Sequence, residues 1–494
     1  MIDRRACFFA LLLLATSGAQ ASIDISGQVS APTHSGDSLH SAQSSAQSTQ
    51  LSLSDAVYLG LRNHRGIRSD YLRRIAQKFD LRVAEDAFKP KLFLRGNYQR
   101  HQGSDDRGQK TSLSPGASLL GEYGTRLTAG WTRQMQAAER AGRLRSDGLD
   151  LALVQPLLKG AGRDVTTAPL RLAQLSEQMN QLSLKASVSR AIADIITVYR
   201  ELLKSQAQRV IAHEALRRSE SLLAVNKVLI AAGRMAAFDI VQTEAEIAAQ
   251  QLSVEEAQNQ VHTQRLALLH LLALDLSTPI QANETLQASR LAVDTQQALS
   301  LARTQQPHYL STLLGSQQAH LNLVLARDHA QWDVSLVAGA NQVHGRTDRG
   351  VGAGRDWDTY AGVQVDIPIG DLSARQSAAH ALINVHTEEI RLAGARQELE
   401  RNVNNAVRDL GTRWRQYEIA QRAAELSIRK LDIEREKLNA GRSSNFQIIV
   451  FEGDLRSAEH ARLNALIAYL NAQTQLDLTL GTTLESWEIA LNDD

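Results

Sequence analysis

Two hydrophobic periods alternate along the chain, and the longer stretches have the period of an α-helix. Between Pro169 and Pro279 there is no proline and only one glycine, Gly233, so a single turn joins two long helices into a hairpin. The roughly 65 residues that lead to this turn would extend on the order of 100 Å at about 1.5 Å per residue. The pattern therefore predicts helices far longer than those of an ordinary globular domain.

Near the carboxyl end, small residues follow the spacing of a coiled coil. Alternating intervals of three and four residues separate Ala458, Ala461, Ala465, Ala468 and Ala472. Alanine at such positions lets neighbouring helix backbones come close. Leu463 and Leu466 lie to one side, where we expect them to contact a second neighbour, as a wall of adjacent helices requires. An ordinary cytosolic coiled coil would have the same stripe.

Four other segments alternate apolar and polar residues with the period of a β-strand, at about 91–102, 148–156, 332–342 and 359–368. Alternation over about ten residues suits a membrane strand, which has one face towards lipid and one towards water. Aromatic residues that suit a membrane interface lie in or beside these segments: Tyr98, Trp131, Trp332, Trp357 and Tyr360. A small soluble sheet is the alternative. A stretch near 111–136 also alternates and predicts a further hairpin, whose place relative to the sheet the pattern leaves open.

The same plan of elements occurs twice along the chain. Ala56 and Asp86 recur 242 residues later as Ala298 and Asp328. The triplet Ala232-Gly233-Arg234 recurs as Ala440-Gly441-Arg442. We therefore divide the chain into repeat 1, residues 51–283 with a helix turn at 232–236, and repeat 2, residues 284–487 with a helix turn at 440–444.

The first residues indicate export. Arg4 and Arg5 precede an apolar run, and Ala19-Gln20-Ala21 is a small-x-small cleavage site, so residues 1–21 are predicted to be a signal peptide. A transmembrane anchor is the alternative, but a run of roughly ten apolar residues is shorter than the roughly twenty that a bilayer needs. Residues 22–50, rich in Ser and Gln, are predicted to be a disordered leader.

The single cysteine, Cys7, lies within the predicted signal peptide, so the mature chain is expected to form no disulfide. No later segment is apolar for the length of a membrane helix. A closed barrel is therefore the form in which this chain would cross a membrane.

Charge and motifs exclude several classes of function. The 54 Lys and Arg residues are balanced by 53 Asp and Glu, which disfavours a nucleic-acid partner. The chain contains no Gly-x-Ser-x-Gly, no His-Glu-x-x-His and no phosphate-binding loop, and its 14 histidines are scattered. We therefore predict no enzyme activity, no cofactor and no metal site.

The opening Leu53-Ser54-Asp55-Ala56, the strand end Gln155-Pro156-Leu157-Leu158 and the two glycine turns resemble the outer-membrane efflux protein family typified by TolC. The resemblance covers nearly all of residues 51–487. It implies a mainly α fold with a membrane β-barrel, in which a long antiparallel coiled-coil tunnel of helices adjoins a trimeric twelve-stranded barrel, with four strands from each protomer and two internal structural repeats. It also implies an exit duct in the Gram-negative outer membrane, with a large periplasmic part and no catalytic residues.

The same resemblance implies partners: two further copies of the chain in a homotrimer, outer-membrane lipid, a periplasmic adaptor protein, and an inner-membrane pump of the RND or ABC type. It assigns adaptor contact to the helix turns, through Gly233 and Arg234 in the first and Gly441 and Arg442 in the second. Each glycine also suits the left-handed residue that ends a helix. TolC has Val-Gly-Leu at the first turn, so the arginines here suggest a different cognate adaptor.

Polar links near these turns hold the periplasmic gate of the family closed, and Asp239 matches the acidic member of such a link. We expect Asp239 to pair with Arg442 or Arg234; a solvated carboxylate is the alternative. Gln447 and Val450 occupy positions where TolC has an acidic ring, so this chain departs from the family there.

Two alternatives to a small-molecule efflux duct remain. Type I protein secretion suits the same sequence equally well, because the pump selects the substrate. A structural periplasmic coiled coil with small β caps is the rival outside this class.

Overall fold

The computed structural model describes residues 49–102, 107–138, 142–347, 356–370 and 372–491. The predicted signal peptide, and the predicted leader up to residue 48, lie outside these residues. The prediction that the disordered leader reaches residue 50 is wrong at its end, because Thr49–Leu51 forms a strand. This strand pairs in parallel with Ile280–Ala282, and its Leu51 side chain is buried.

The chain is mainly helical, as predicted. The helices of the described residues are α1 (Leu53–Asn63), α2 (Arg65–Glu85), α3 (Arg163–Thr166), α4 (Ala168–Ala231), α5 (Asp239–Leu271), α6 (Thr295–Gln305), α7 (Pro307–His329), α8 (Ser373–Asn439), α9 (Asn445–Leu480) and α10 (Thr483–Ser486), with a 3-10 turn at Asp86–Phe88. The strands are β1 (Thr49–Leu51), β2 (Lys91–Gln102), β3 (Arg107–Leu120), β4 (Arg126–Ala138), β5 (Gly142–Pro156), β6 (Ile280–Ala282), β7 (Asp333–Thr347) and β8 (Asp356–Asp366).

The long helices lie side by side in four columns. α4 and α8, of 64 and 67 residues, each extend for about 100 Å. α4 packs against α2 and α5, and also against α7 and α9, which in turn pack against α8. Within the described residues, α2 and α5 form one outer column and α8 forms the other.

α4 is held in place by a buried stripe with coiled-coil spacing. Its fully or almost fully buried members are Leu184, Val188, Ile192, Ile195, Tyr199 and Leu202. They pack against α1, the end of α5, and strands β1 and β6. The Tyr199 hydroxyl donates a 2.8 Å hydrogen bond to the Leu51 carbonyl oxygen, so this buried ring also anchors β1.

Positions 242 residues apart begin corresponding helices. Ser52 caps α1 by accepting from the Asp55 N–H, and Asp294 caps α6 by accepting from the Gln297 N–H at 2.9 Å. The His64 ring caps α2 and the Gln306 side chain caps α7 in the same way. These caps satisfy N–H groups that a helix start leaves without a partner.

The coiled-coil seam of α9 differs from the predicted one. Leu463 and Leu466 are buried, whereas the predicted alanine stripe is at most half-buried and Ala461 is exposed. Larger side chains remove more apolar surface from water, so the leucines lead the packing within the chain, and the alanines are less deeply buried than the leucines.

The long strands form one antiparallel sheet in the order β2-β3-β4-β5-β7-β8. The prediction of four strands from each protomer is therefore wrong: the extra hairpin is β3 and β4, and it lies inside the sheet between β2 and β5. The sequence alone does not place this hairpin in the sheet, because Pro115 lies within it and proline is unusual inside a central strand. Pairing of β3 with β4 is interrupted at Ser114 and Pro115 and resumes at Gly116.

Candidate functional site

The two helix turns have the same backbone geometry. Gly233 and Gly441 have φ of +69° and +74°, a region that residues with a Cβ rarely adopt. Behind them, the Arg234 N–H donates to the Leu229 carbonyl and the Arg442 N–H donates to the Lys437 carbonyl, each at 2.8 Å. Both turns are thus Schellman motifs that end a long helix.

The first turn also touches the second. Arg234 Nη2 donates a 3.3 Å hydrogen bond to the carbonyl oxygen of Asn439, the last residue of α8. Gly441 lies next to the same guanidinium, since a Cβ on Gly441 would be 3.2 Å from Arg234 Nη2. The fold therefore brings together three of the predicted contact residues, Gly233, Arg234 and Gly441, while Arg442 is exposed beside them.

Asp239 begins α5 and is half-buried. Within the described part of this single chain, its carboxylate forms no ion pair with Arg234 or Arg442. Its backbone carbonyl accepts hydrogen bonds from Thr243 Oγ1 and Asn445 Nδ2, at 3.2 and 3.3 Å. The predicted pairing of Asp239 stays a prediction, and it would have to form between chains or after a movement of the turns.

A buried polar cluster just beyond the turns was not predicted. Asn226 of α4, Thr243 of α5 and Asn445 of α9 are at most 2% exposed. Asn226 Nδ2 lies 2.8 Å from both Thr243 Oγ1 and Asn445 Oδ1. The cluster ties the α4–α5 hairpin to the α8–α9 hairpin. In the sequence, the signal for such a cluster is a polar residue within an otherwise apolar stripe of a helix.

Further along the hairpins, a buried carboxylate joins three helices. Glu452 of α9 accepts from Arg218 Nε of α4 at 2.8 Å and from Arg435 Nη2 of α8. Glu459 lies 3.6 Å from Arg218 Nη2, and burial raises the pKa of its carboxyl, against the lowering influence of Arg218. Beside this group lies a cleft of about 530 Å³ between the two hairpins, lined by Arg217, Val225, Leu438 and Asn439 among others.

The two faces of the six-stranded sheet differ sharply. One face, here called the apolar face, has Leu92, Ala117, Ala129, Leu151 and Ala340 as register neighbours across five strands. Its large side chains are exposed in the chain, as at Leu92 (85%) and Val363 (61%). The other, polar face has Arg95, Lys110, Thr128, Asp150 and Gln364.

The aromatic residues predicted at membrane interfaces do not all share one face. Tyr98, Trp131 and Trp357 lie on the apolar face, by alternation and register. Tyr360 lies on the polar face, opposite Gly339, where a Cβ would come within 2.4 Å of its ring. Trp332 precedes β7 and is exposed. The interface role predicted for Tyr360 therefore does not fit its position.

No helix among the described residues is both long enough and apolar enough to cross a membrane. In the same part of the chain, His, Cys, Asp and Glu form no group of three or more suited to a metal ion.

Comparison with solved structures decides the fold. The outer membrane channel CmeC of Campylobacter jejuni superposes with a TM-score of 0.65 at 15% identity, covering 87% of this chain and 85% of that one. VceC of Vibrio cholerae, an outer membrane protein, gives 0.66 at 14% identity, covering 87% and 96%. The open state of the Neisseria gonorrhoeae MtrE outer membrane channel gives 0.65 at 16% identity, covering 87% and 88%.

The chain has the fold of outer-membrane channels. The prediction of a mainly helical chain with a sheet and the fold of these channels is thereby confirmed, whereas the trimeric barrel and the two structural repeats stay predictions. No sequence-family model and no curated protein matches the chain in sequence, so the channel fold is recognised through its structure. Within that fold, the helix turns and the apolar face of the sheet are the two regions whose residues suggest a function.

Proposed function

We propose that the chain is the outer-membrane exit duct of a tripartite export system, and that it conducts substrates passively from a periplasmic adaptor and an inner-membrane pump to the exterior. One observation supports this most directly: a sheet with one continuous exposed apolar face is joined to helices of about 100 Å. Contiguous apolar surface of this extent marks contact with a membrane or a partner.

The two edges of the chain suggest how a ring closes. All neighbouring pairs of the large sheet are antiparallel, so the edge strands β2 and β8 run in opposite directions, and β8 of one copy can extend the ladder by pairing with β2 of the next. Closure is the usual way to remove unpaired strand edges within lipid.

The outer helix columns have matching exposed apolar residues. α2 exposes Leu72, Ile75 and Phe79, and α8 exposes Ile383 and Ile390, each by more than 60%. A second copy of the chain is the partner that buries both sets at once, because the two columns flank the same two sheet edges. In a homotrimer, six strands from each chain would give an eighteen-stranded barrel, in place of the twelve strands expected from the sequence.

The helix turns are the proposed adaptor contact, through Gly233, Arg234, Gly441 and Arg442. The cleft between the hairpins lies nearby, which gives an adaptor hairpin a groove as well as two exposed tips. Asp239 and Arg442 are the proposed gate pair, formed between neighbouring chains. Paired mutations test this: Asp239→Ala with Arg442→Ala should raise single-channel conductance in planar bilayers, and unchanged conductance would contradict the pairing.

The exit-duct proposal is tested by fractionating cells that express the full-length chain and running the detergent extract unheated and heated on a gel. A heat-dissociable trimer in the outer-membrane fraction is the expected result. A soluble periplasmic monomer would overturn the proposal and favour the coiled-coil scaffold. The duct does not reveal the class of its pump, because the pump selects the substrate. A neighbouring gene for an RND or ABC transporter would identify that class.

A further inference from the structure

Arginines collect at one place on the apolar face of the sheet, at the strand ends farthest from the helices. Arg133 follows Trp131 by two residues on β4, and Arg143 and Arg145 stand on the facing stretch of β5. By register, Arg133 lies opposite Asp147, Arg143 opposite Ala137, and Arg145 opposite Met135. All three arginines are exposed. We call these three residues the arginine cluster.

The neighbouring hairpin repeats this placement. On β2, Arg100 follows Tyr98 on the same face, and Arg107 of β3 lies diagonally across from it. On β2 and β4, Arg100 and Arg133 come directly beyond the aromatic residue, about 7 Å farther along the strand. By register, Arg107 and Arg145 lie about 13 Å and Arg143 about 20 Å beyond the level of the aromatic residues. This is where an apolar membrane band gives way to lipid headgroups.

On the apolar face, the arginines of the described residues are restricted to this one rim. On the polar face of the same strand ends, the described residues include Lys110 and His101 among Gln99, Gln134 and Ser146, but no arginine. At the opposite end of the apolar face stand Leu153, Leu336 and Val365, without an arginine. A role in the lumen would place charge on the polar face, and a general role at membrane interfaces would place it at both rims.

Among the described residues, one acidic side chain lies at the arginine cluster. Among the described residues of the apolar face beyond the aromatic positions, Asp147 is the one carboxylate, and it faces Arg133 and His344. Arg143 and Arg145 have no carboxylate opposite them on β4. Guanidinium groups bind phosphate oxygens in a bidentate manner.

We propose that the arginine cluster binds the phosphate groups of lipids in the outer leaflet and so fixes the chain at a defined height in the membrane. The proposal rests on the exit-duct function, since it requires the apolar face to meet lipid. It commits to a phosphorylated lipid headgroup as the occupant, because the cluster is continuous with the apolar band and a soluble anion would have no contact with that band.

The test compares two double variants that remove the same charge from opposite faces. Arg143→Gln with Arg145→Gln alters the cluster, and Lys110→Gln with Arg126→Gln alters the polar face. Binding of lipid A, a phosphorylated glucosamine lipid, to the detergent-solubilised full-length protein is measured by retention of radiolabelled lipid. Each arginine near a charged lipid surface contributes about fivefold, so the cluster variant is expected to bind roughly 10- to 30-fold more weakly. Two controls accompany this measurement. The polar-face variant should bind lipid A as the unaltered protein does. Enzymatically dephosphorylated lipid should bind equally to the two double variants.

Equal lipid retention by the cluster variant and the unaltered protein would overturn the proposal, as would an equal loss in the polar-face variant. If the cluster double variant does not assemble, Arg143→Gln and Arg145→Gln are measured singly, each with an expected loss of about fivefold. Fractionation distinguishes failure of the proposed function from failure of this inference. If the unaltered protein is absent from the outer membrane, the exit-duct function is wrong. If the protein fractionates with the outer membrane but the cluster variant binds lipid normally, only this inference is wrong.

Discussion

Asn226 of α4 donates a 2.8 Å hydrogen bond to Asn445 of α9, and both side chains are almost completely buried. This bond joins the two helical hairpins just behind their turns. Removing one partner leaves a buried amide unsatisfied, at a cost of about 1–3 kcal/mol. We expect Asn226→Ala and Asn445→Ala to destabilise the protein by that amount each, and the double variant by less than the sum. Urea unfolding in detergent gives the coupling, and additive effects would mean that the two amides act independently.

Glu452 and Asp454 provide a matched pair of carboxylates on α9. Glu452 is buried between Arg218 and Arg435, whereas Asp454 pairs with Lys430 at an exposed site. Glu452→Gln leaves the mostly buried Arg218 guanidinium with only the more distant Glu459 carboxylate as a counter-charge, so we expect a loss of about 2–4 kcal/mol. Asp454→Asn should cost less than about 1 kcal/mol. Similar losses in the two variants, measured by the same urea titration, would contradict the bridging role of Glu452.

Ala273 and Gly481 end α5 and α9 with the same left-handed backbone, at φ of +52° and +82°. An alanine there carries a steric cost of about 1 kcal/mol, so Ala273→Gly is expected to stabilise the protein by up to about 1 kcal/mol. Gly481→Ala should have the opposite effect and cost more than about 2 kcal/mol, since its Cβ would lie 2.5 Å from the Gln305 carbonyl oxygen. Melting temperatures that shift in the same direction would refute this explanation.

The partly buried imidazole of His460 should make the stability of the protein depend on pH. Burial, and to a lesser extent Arg456, lowers the pKa of its imidazole from 6.5. The unfolded chain therefore takes up a proton near pH 6.5, while the folded chain does so only at lower pH, and unfolding is favoured in between. We expect this contribution to be complete above pH 6.5 and to be lost as the pH falls through the folded pKa. His460→Gln should flatten that part of the profile of unfolding free energy against pH, and an unchanged profile in this variant would contradict the explanation.

Leu151 and Asp150 are adjacent exposed residues of β5 that face opposite ways. If the apolar face meets lipid, Leu151→Lys should cost about 2–4 kcal/mol and reduce the heat-stable oligomer, because a charge near the bilayer midplane is expensive. Asp150→Lys, which adds a lysine to the polar face, should assemble normally. Equal tolerance of both changes on unheated gels would indicate that neither face contacts lipid.

The elements that could be predicted from the sequence are those with a local signal. The first helix turn can be predicted because Gly233 interrupts a long run without any other breaker, and the second because Ala440-Gly441-Arg442 repeats the triplet of the first. β2 can be predicted because its alternation is regular. β3 could not be assigned to the sheet, since Pro115 breaks the local pattern and only pairing with β2 and β4 shows that the strand continues. The Asn226–Asn445 contact joins residues 219 positions apart, and no local pattern announces such a pairing.

The extra hairpin, β3 and β4, increases the circumference of the barrel in the proposed trimer. Four helix columns from each of three chains make twelve columns, which at about 8–10 Å apart have a circumference of roughly 95–120 Å. Eighteen strands about 4.8 Å apart and tilted by about 40° occupy about 110 Å, whereas twelve would occupy about 75 Å. The strand ring and the helix ring therefore match in circumference. A conduit built this way would keep one diameter from its helical wall to its outer opening, so a constriction would be set at the far end of the hairpins, where Gly233 and Gly441 turn the chain back.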